Sequence, residues 1–360
     1  MGRAQPWEIG GDFYWSGLPD GPFIPWPQPG TWFALGHSTV LAIWHQYSSE
    51  SPNRNLWVPD YFCPEVTGAW RGAEVRMRYY SDDPRWPHPD WDTLSPMPGD
   101  LILAVNYFGV RAGDAWQAWH REHEFVVLIE DHTHDPLSNW ALNSKADYAF
   151  ASLRKTFIVP DGALLWSPRE HPLPPEPQNR NWSGSALKLA AMIWKKEYVI
   201  GRKGDPTTKR TFRDFQVAGE TTLFEARDSS ISPWSRALLE AGFPQVWRRI
   251  RERNVRLFLD LVIGQNGIEP LFVNWPAGHC PFNAVLVFPS ETRREEFRSG
   301  LIAANVYTPI HWRPLPEAPT RSLDLSKRIL TVPLDQRYDA QDVRRVASIL
   351  SALGKKGAKP

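Results

Sequence analysis

The sequence predicts an α/β fold, with a large domain built on a mostly parallel sheet and a smaller C-terminal α+β domain. Short apolar runs alternate with segments of helical spacing, which is typical of repeated strand–helix units. The runs are continuously apolar rather than alternating, as expected for parallel strands that are buried on both faces. From about residue 281 onward the order of the elements changes, which indicates a second, smaller unit.

Residues 1–34 are rich in glycine, proline and tryptophan, and we expect an irregular aromatic segment that packs on the body of the protein. We assign residues 35–265 to the large domain and residues 266–352 to the small domain. The remaining residues, 353–360, are basic and are predicted to be a disordered tail.

The large domain opens with "STVLAIWHQYSS", which has helical spacing and Ser38 or Thr39 as its N-cap. A strand that ends at Pro59 follows, and then "EVTGAWRGAEVRMRYY" predicts a helix, a turn and a strand. The segments "DLILAVNYFG" and "FVVLIEDHTHD" predict buried strands on either side of the helical "DAWQAWHREHE". In "ADYAFASLRKTFIVPDGALLW", we expect one strand in "DYAFAS", a second extended piece in "TFIVP" and a third after the turn.

A proline- and asparagine-rich stretch at 168–181 predicts a bend, after which helical sequence resumes in "SALKLAAMIWKKEYVIG", "SPWSRALLEAG" and "VWRRIRERNVRLFLDLV". The charged run "RRIRERNVR" is interpreted as the solvated face of its helix. The small domain is predicted from "PFNAVLVFPS", "ETRREEFRSGLIAAN", "VYTPIHW", "RILTVPLD" and "DAQDVRRVASILSAL".

Composition and charge exclude several classes of protein. The chain has 360 residues and a formal net charge of +1, so nothing in its charge favours a nucleic-acid or acidic-membrane partner. Its two cysteines, Cys63 and Cys280, allow one disulfide at most. The first residues lack an apolar signal region and no apolar run approaches the roughly 18 residues of a spanning helix, so we expect a cytoplasmic protein.

Three groups of residues fall at the carboxyl ends of predicted strands. They are Pro59 to Cys63, Asn106 with Tyr107, and Asp131 to His134. Ligands of parallel sheets bind beyond the carboxyl ends of the strands, so these residues are expected to converge on one site.

Lys155 is the first candidate for chemistry at that site. A lysine is ordinarily a solvated surface residue, but this one lies between two predicted core segments. A desolvated lysine has a lowered pKa and becomes a nucleophilic amine suited to a Schiff base. Asp131 ends a predicted strand 24 residues earlier. A lysine that holds an aldehyde and a carboxylate that keeps a pyridine nitrogen protonated are what pyridoxal phosphate requires.

The segments "VVLIEDHTHD" and "ADYAFASLRKTFIVPDGALLW" resemble the core of fold-type-I pyridoxal-phosphate enzymes, and within them the DegT/DnrJ/EryC1/StrS sugar aminotransferases. Looser similarity extends over "LWVPDYFCPEVTGAWRGAEVRMRYYSDD", "LILAVNYFGV", "VYTPIHW" and "ILTVPLDQRY". The resemblance implies a fold-type-I transferase fold, pyridoxal 5′-phosphate as the cofactor, and a homodimer with active sites at the interface.

The resemblance also implies roles for individual residues. Lys155 would bind the cofactor aldehyde as an imine and would move the proton between substrate and cofactor carbons. Asp131 would pair with the pyridinium nitrogen, and His134 would lie near the phenolic oxygen.

The same resemblance assigns further contacts to the cofactor and substrate. Ser152 would bind the phosphate, together with Ser38 and Thr39 at the start of a helix. Either Tyr61 or Phe62 would stack on the ring, and spacing alone does not decide between them. Tyr107 and Arg154 are candidate substrate-binding residues, although Arg154 could equally form a surface salt bridge.

The chain departs from the usual pattern of this family in its N-terminal aromatic block, which has no counterpart there, and at three further places. The serine precedes the lysine as "SLRK" rather than S-x-x-x-x-K, the return is "PDGA" rather than a double glycine, and the first helix is preceded by "ALGHST". These departures bear on the substrate more than on the cofactor.

The function that follows is transfer of an amino group from glutamate or glutamine to a keto-sugar, interpreted as nucleotide-linked, in two half-reactions. Two alternatives stay open: a pyridoxal-phosphate enzyme of different chemistry acting on a small amino compound, and a non-catalytic relative that binds sugar through its N-terminal tryptophans. A metal site is disfavoured, because "HTHD" and "HREH" have no third cluster with ligand spacing beside them.

Overall fold

The computed structural model describes residues 7–49, 53–201, 205–264, 267–313, 315 and 320–356. The strands are β1 (Ile9–Gly10), β2 (Phe23–Ile24), β3 (Thr31–Phe33), β4 (Leu56–Pro59), β5 (Met77–Tyr80), β6 (Leu101–Val105), β7 (Val127–Asp131), β8 (Tyr148–Ala151), β9 (Ala163–Trp166), β10 (Phe243–Pro244), β11 (Glu269–Pro270), β12 (Ala284–Val287), β13 (Val306–Tyr307) and β14 (Ile329–Val332).

The helices alternate with these strands through the first half of the chain. They are α1 (Gly36–Ser48), α2 (Pro64–Arg71), α3 (Asp114–Glu122), α4 (Asn139–Leu142), α5 (Ser183–Val199), α6 (Pro206–Glu225), α7 (Pro233–Leu239), α8 (Gln245–Val262), α9 (Glu291–Ala303), α10 (Thr320–Arg328) and α11 (Ala340–Lys356). None of the described helices is both long and apolar enough to span a membrane.

The main sheet has seven strands in the order β3-β9-β8-β7-β6-β4-β5. Strands β4 to β8 run parallel to one another, and β9 is antiparallel to both of its neighbours. The mostly parallel sheet predicted from the sequence is therefore confirmed.

Strands β6 to β9 are buried along their whole length, and this explains why their sequences are mostly apolar. On one face, alternate residues of β6 such as Leu101 and Leu103 pack in a cluster with Val40 and Ile43 of α1. On the other face, Ile102 and its neighbours pack in a cluster with the tryptophans of α3. Helices therefore cover both sides, and only the strand ends remain for a site.

The small domain contains a three-stranded sheet in the order β11-β12-β14, with antiparallel pairing. Its core joins apolar residues of β12, β14, α9 and α11 to the buried face of α8, including Val255 and Phe258. Helix α11 continues to Lys356, so residues 353–356 are helical and not part of a disordered tail as predicted. Residues 357–360 lie outside the described part of the chain.

The N-terminal segment packs on the body, as expected, but it is not irregular throughout. Strand β1 pairs with β13, β2 pairs with β10, and β3 forms an edge of the main sheet. The ring of Trp26 lies within 6.5 Å of the rings of Trp32, Phe157 and Phe243. The segment is thus part of the core of the protein.

Other local predictions were wrong. The "TFIVP" piece is not a strand, because the chain turns through a 3₁₀ helix at Leu153–Lys155 and then runs irregularly to β9. Helix α1 begins at Gly36 with Leu35 as its N-cap, so Ser38 and Thr39 lie inside its first turn. Helices α6 and α10 and strand β11 were not predicted.

Helices α5 and α6 form a hairpin whose backbones approach closely at two glycines. A Cβ atom on Gly219 would lie 2.7 Å from Cγ and 2.9 Å from the backbone nitrogen of Lys188. A Cβ atom on Gly184 would lie 2.6 Å from the backbone nitrogen of Leu223. Glycine is required here because no side chain fits between the two helices.

We expect Gly219→Ala to lower the free energy of unfolding by about 1–3 kcal/mol, because the added methyl group forces the helices apart. The matched control is Gly68→Ala in α2, where a Cβ atom meets nothing within 4 Å. That change should raise stability by about 0.5–1 kcal/mol through helix propensity. Chemical denaturation of both variants tests the contrast, and equal effects at the two sites would contradict the packing argument.

Candidate active site

A cavity of about 450 Å³ lies beyond the carboxyl ends of β6, β7 and β8. Val105, Asp131 and Ser152 line it from these strand ends, and the small domain closes it with the segment Pro309–Trp312. This is the position at which parallel sheets bind ligands, because there the polar residues after each strand meet.

Lys155 is the last residue of the 3₁₀ turn that follows β8, and its backbone N–H donates to the carbonyl of Ser152 at 3.1 Å. The turn places its side chain in the cavity, accessible to solvent but enclosed by protein on most sides. The positive charge of neighbouring Arg154, together with burial, lowers the pKa of Lys155. A larger share of the amine is therefore unprotonated and nucleophilic at neutral pH.

Asp131 is the last residue of β7 and is 9% exposed. Its Oδ1 accepts a hydrogen bond of 2.8 Å from the backbone N–H of Thr133. Burial raises the pKa of Asp131, which the hydrogen bonds from Thr133 only partly offset. A buried carboxylate without a cationic partner is costly, so a protonated ligand nitrogen would stabilise it.

His134 lies against the cavity wall between aromatic rings. Its ring is stacked on Phe282 at 4.4 Å and on Trp312 at 5.6 Å. Burial lowers the pKa of His134 well below its ordinary value, so the ring is neutral. Its Nδ1 accepts from the backbone N–H of Phe108 at 3.0 Å, which assigns the proton to Nε2.

Gly36 and Ser152 form a narrow cradle at the start of α1. A Cβ atom on Gly36 would lie 2.8 Å from the Cβ of Ser152, so only glycine fits. The hydroxyl of Ser152 lines the cavity and has no hydrogen-bond partner among the described residues. A helix N-terminus with a free hydroxyl beside it is suited to an oxyanion such as phosphate.

His37, the next residue of the helix, lines the same cavity. Burial first, and then the charges of Arg154 and Arg227, lower the pKa of His37 to about 4. Its Nε2 is buried and has no hydrogen-bond partner in the described part of the chain. An imidazole in this state would gain a partner if a ligand occupied the cradle.

A network of charged side chains begins at Arg154, the residue before Lys155. Arg154 donates two hydrogen bonds to Glu220 of α6, at 2.8 and 2.7 Å, and Lys188 of α5 reaches the same carboxylate at 2.8 Å. Lys188 also bonds to Asp12 of the N-terminal segment at 2.5 Å. Arg154 is therefore a partly buried bidentate partner and not a surface salt bridge, since its side chain is only 10% exposed.

The cavity brings together six of the ten predicted site residues. They are Lys155, Asp131, His134, Ser152, Phe62 and Arg154. Phe62 lines the cavity, whereas Tyr61 does not. Of the two aromatic candidates for stacking on the ring, Phe62 is therefore the one that a ligand in the cavity can contact.

Four predicted residues do not line the cavity: Ser38, Thr39, Tyr61 and Tyr107. The hydroxyl of Ser38 donates to the carbonyl of Arg227, and that of Thr39 donates to the carbonyl of Gly36 at 2.7 Å. The hydroxyl of Tyr107 donates to the carbonyl of Tyr61 at 2.8 Å, and the hydroxyl of Tyr61 donates to the carbonyl of His311. These hydroxyls hold the local backbone, so we withdraw them as ligand contacts.

Several cavity residues were missed because they come from distant parts of the chain. They are Gly36, His37, Glu220, Phe224, Phe282, His311 and Trp312. No local motif marks those of α6, and "VYTPIHW", which contains His311 and Trp312, was interpreted only as part of the small domain. The signal that was available is "ALGHST", in which the glycine at the helix start marks the close approach to Ser152.

The histidine clusters considered as metal ligands do not converge. His132 bonds to Glu130 at 2.9 Å, whereas His134 lies in the aromatic stack. His120 lies 3.2 Å from Asp147. Within the described ranges, no group of three histidine, cysteine, aspartate or glutamate residues is arranged to hold a metal ion.

Neither a family model nor a curated protein sequence matches the chain. Solved structures match its fold. The aminotransferase TlmJ from Streptoalloteichus hindustanus is 16% identical with a TM-score of 0.61, over 91% of this chain and 86% of that one. The putative sugar aminotransferase Spr1654 from Streptococcus pneumoniae, in its PLP form, is 12% identical with a TM-score of 0.61, over 91% and 88%.

NtdA from Bacillus subtilis with bound cofactor PMP is 12% identical with a TM-score of 0.60, over 91% of this chain and 74% of that one. At these identities the similarity establishes the fold. The fold that the sequence resemblance implied is therefore confirmed.

We expect Glu220→Gln to lower the free energy of unfolding by about 1 kcal/mol at neutral pH, a modest value because the carboxylate is 36% exposed. Burial opposes its ionisation, but Arg154 and Lys188 outweigh burial and hold the pKa of Glu220 below its ordinary value of 4.5. Its stabilisation is thus present above that value and is lost as the pH falls further.

The measurement is urea unfolding of both proteins at neutral pH and at about pH 3.5. The difference between them should shrink in acid. A difference that is constant with pH would show that the loss has a cause other than the charge of Glu220.

Proposed function

We propose that the protein is a pyridoxal-phosphate-dependent aminotransferase. The observation that carries the proposal is the placement of Lys155 and Asp131 in one cavity at the strand ends, with the cradle of Gly36 and Ser152 beside them. The fold shared with aminotransferases supports it.

The residues present fit this cofactor. Lys155 offers a nucleophilic amine, and Asp131 offers a buried carboxylate that forms no salt bridge with the described residues. The cradle offers a helix N-terminus and the unengaged hydroxyl of Ser152 for a phosphate group. The Nε2–H of His134 offers a donor for the phenolic oxygen, and Phe62 offers an aromatic surface for the ring.

When bound, pyridoxal phosphate supplies an aldehyde that bonds to amines and a ring that withdraws electrons from the carbon bearing the nitrogen. Asp131 would keep the ring nitrogen protonated, which that withdrawal requires. Lys155 would bind the aldehyde and, once displaced by substrate, would accept and return a proton at Nζ. The aromatic wall of Phe282, His311 and Trp312 would limit the access of water.

For the substrates we retain glutamate or glutamine as donor and a keto-sugar, nucleotide-linked, as acceptor. Support comes from the description of Spr1654 as a putative sugar aminotransferase. We also propose a homodimer and a cytoplasmic location. The non-catalytic sugar-binding alternative loses support because N-terminal tryptophans such as Trp26 and Trp32 pack in the core.

Lys155→Ala should abolish covalent attachment of the cofactor. Wild-type protein incubated with pyridoxal phosphate should turn yellow, and borohydride should fix the cofactor to the chain. The measurement is absorbance and intact mass after reduction. The control is Lys145→Ala, which removes an exposed lysine and should leave labelling unchanged. Equal labelling of the Lys155 variant would overturn the assignment.

Asp131→Asn should retain borohydride labelling at Lys155 but lower the rate of amino transfer by about 10²-fold or more, because the ring nitrogen loses the charge that keeps it protonated. Single-turnover absorbance changes with glutamate measure this rate. A variant that labels normally and reacts at the wild-type rate would exclude Asp131 from the proposed role.

A further inference from the structure

A second cavity, of about 430 Å³, meets the first at Lys155. Its walls come from the N-terminal segment at Gly11–Phe13, from α5 and α8, and from the small domain around Tyr307–Pro309. Five residues line both cavities: Arg154, Lys155, Phe282, Pro309 and His311. A molecule in the second cavity therefore has access to the amine of Lys155.

The lining of this cavity is strongly positive. In the described part of the chain, seven basic side chains face it but only two acidic ones do. Some of the basic groups already have partners. Arg337 bonds to Asp335 at 2.7 Å, and Lys188 bonds to Asp12 and Glu220. Arg154 bonds to Glu220, and Arg298 bonds to Glu295 at 2.9 Å. Lys155, Arg213 and Arg251 form no salt bridge with the described residues, and of these three only Arg251 is buried.

That residue is Arg251 of α8, which is 3% exposed. Its Nε donates to the side chain of Gln336 at 2.6 Å, and its Nη2 donates to the carbonyl of Thr156 at 2.9 Å. Its Nη1 has no acceptor among the described residues, and none of their carboxylates forms a salt bridge with it. Asp335, the acid on the same wall, is held by Arg337.

A buried cation without a contacting anion is energetically costly. Burial lowers the pKa of Arg251, but an arginine remains charged in a protein. The cost is therefore not relieved by loss of a proton. The carboxylate of Asp335 acts on Arg251 only through space, and it is bonded to Arg337. An oxyanion in the cavity would supply a countercharge in direct contact and would accept a hydrogen bond from the free nitrogen.

The position of Arg251 relates it directly to Lys155. The carbonyl that anchors its guanidinium belongs to Thr156, the next residue in the chain, and the same carbonyl accepts from Gln336 at 3.1 Å. The guanidinium also lies over the ring of Phe282, at 5.9 Å from the ring centre, and Phe282 lines both cavities. A small molecule can thus contact Arg251 and present another of its atoms to Lys155.

We propose that Arg251 binds an oxyanion of a substrate, a carboxylate or a phosphate, in this second cavity. Arg213 and Arg298, which line the same cavity beside Tyr307 and Thr308, extend the positive field toward solvent. Binding of the anion follows from the cavity itself, whereas its identity as part of a substrate rests on the proposed function. The site selects acidic substrates over neutral ones.

The test is calorimetric titration of the cofactor-free protein with glutarate and, separately, with inorganic phosphate. Arg251→Gln should weaken binding of at least one of them by about tenfold or more, the usual effect of losing a hydrogen bond to a charged group. Arg256→Gln is the matched control, because it makes the same change on the exposed face of α8. It should bind both anions as the wild type does.

The two anions distinguish the sources of the oxyanion. Loss of glutarate binding alone assigns the site to a carboxylate, as in an amino-acid donor, and loss of phosphate binding alone assigns it to a phosphorylated acceptor. Phosphate bound instead in the cradle would survive Arg251→Gln and be lost in Gly36→Ala. Unchanged affinities in Arg251→Gln, or no anion binding by the wild type, overturn the proposal.

Arg251→Lys provides a second variant if the glutamine variant does not fold, since it keeps the charge but loses the planar fork. It should weaken anion binding without abolishing it, and wild-type affinity in it would contradict the assignment. Anion binding by the cofactor-free protein can be measured independently of cofactor binding. Anion binding that depends on Arg251 in a protein that takes up no pyridoxal phosphate would leave this site standing and remove the proposed function.

Discussion

The parallel pairing of β4, β6, β7 and β8 is the constraint on which the site depends. Strands that run in one direction end at one edge, so the residues after them meet there whatever their separation in sequence. Val105 pairs with Asp131, and Asp131 pairs with Phe150 of β8, the strand that leads into the 3₁₀ turn containing Lys155. The hydrogen-bond register of three strands thus fixes the relative positions of the carboxylate and the amine.

The second organising feature is the distribution of buried charge. Glu220 is shared by Arg154 and Lys188, and it lies close enough to Lys155 to oppose part of the effect of Arg154 on that amine. The acidity of Lys155 is therefore set by a balance between a neighbouring cation and an anion from α6. A close helix hairpin, made possible by Gly219, is what delivers that anion.

The sequence predicted those parts of the site that are local. Continuous apolar runs marked β7 and β8, and Asp131 at the end of the first and Lys155 after the second were recognised as the charged residues at their ends. Arg251 was missed because "RRIRERNVR" has the composition of a solvated helix face, although Arg251 and Asn254 are buried. Composition cannot show which charged residues of a helix meet another element. The N-cap predicted at Ser38 or Thr39 lies three or four residues too late, because Leu35 is the N-cap of α1 and no hydroxyl caps the helix.

The N-terminal segment connects the two halves of the molecule. Strand β1 is hydrogen-bonded to β13 in the C-terminal part of the chain, and β3, which follows later in the same segment, is hydrogen-bonded to β9 in the main sheet. Arg337 of the small domain holds the carbonyls of Gly11 and Asp12 between them. The first part of the chain is therefore hydrogen-bonded to both the C-terminal part and the main sheet, and it links the two. If the two cores rotated relative to each other, the N-terminal segment would have to move with the rotation, or the hydrogen bonds between β1 and β13 would have to break.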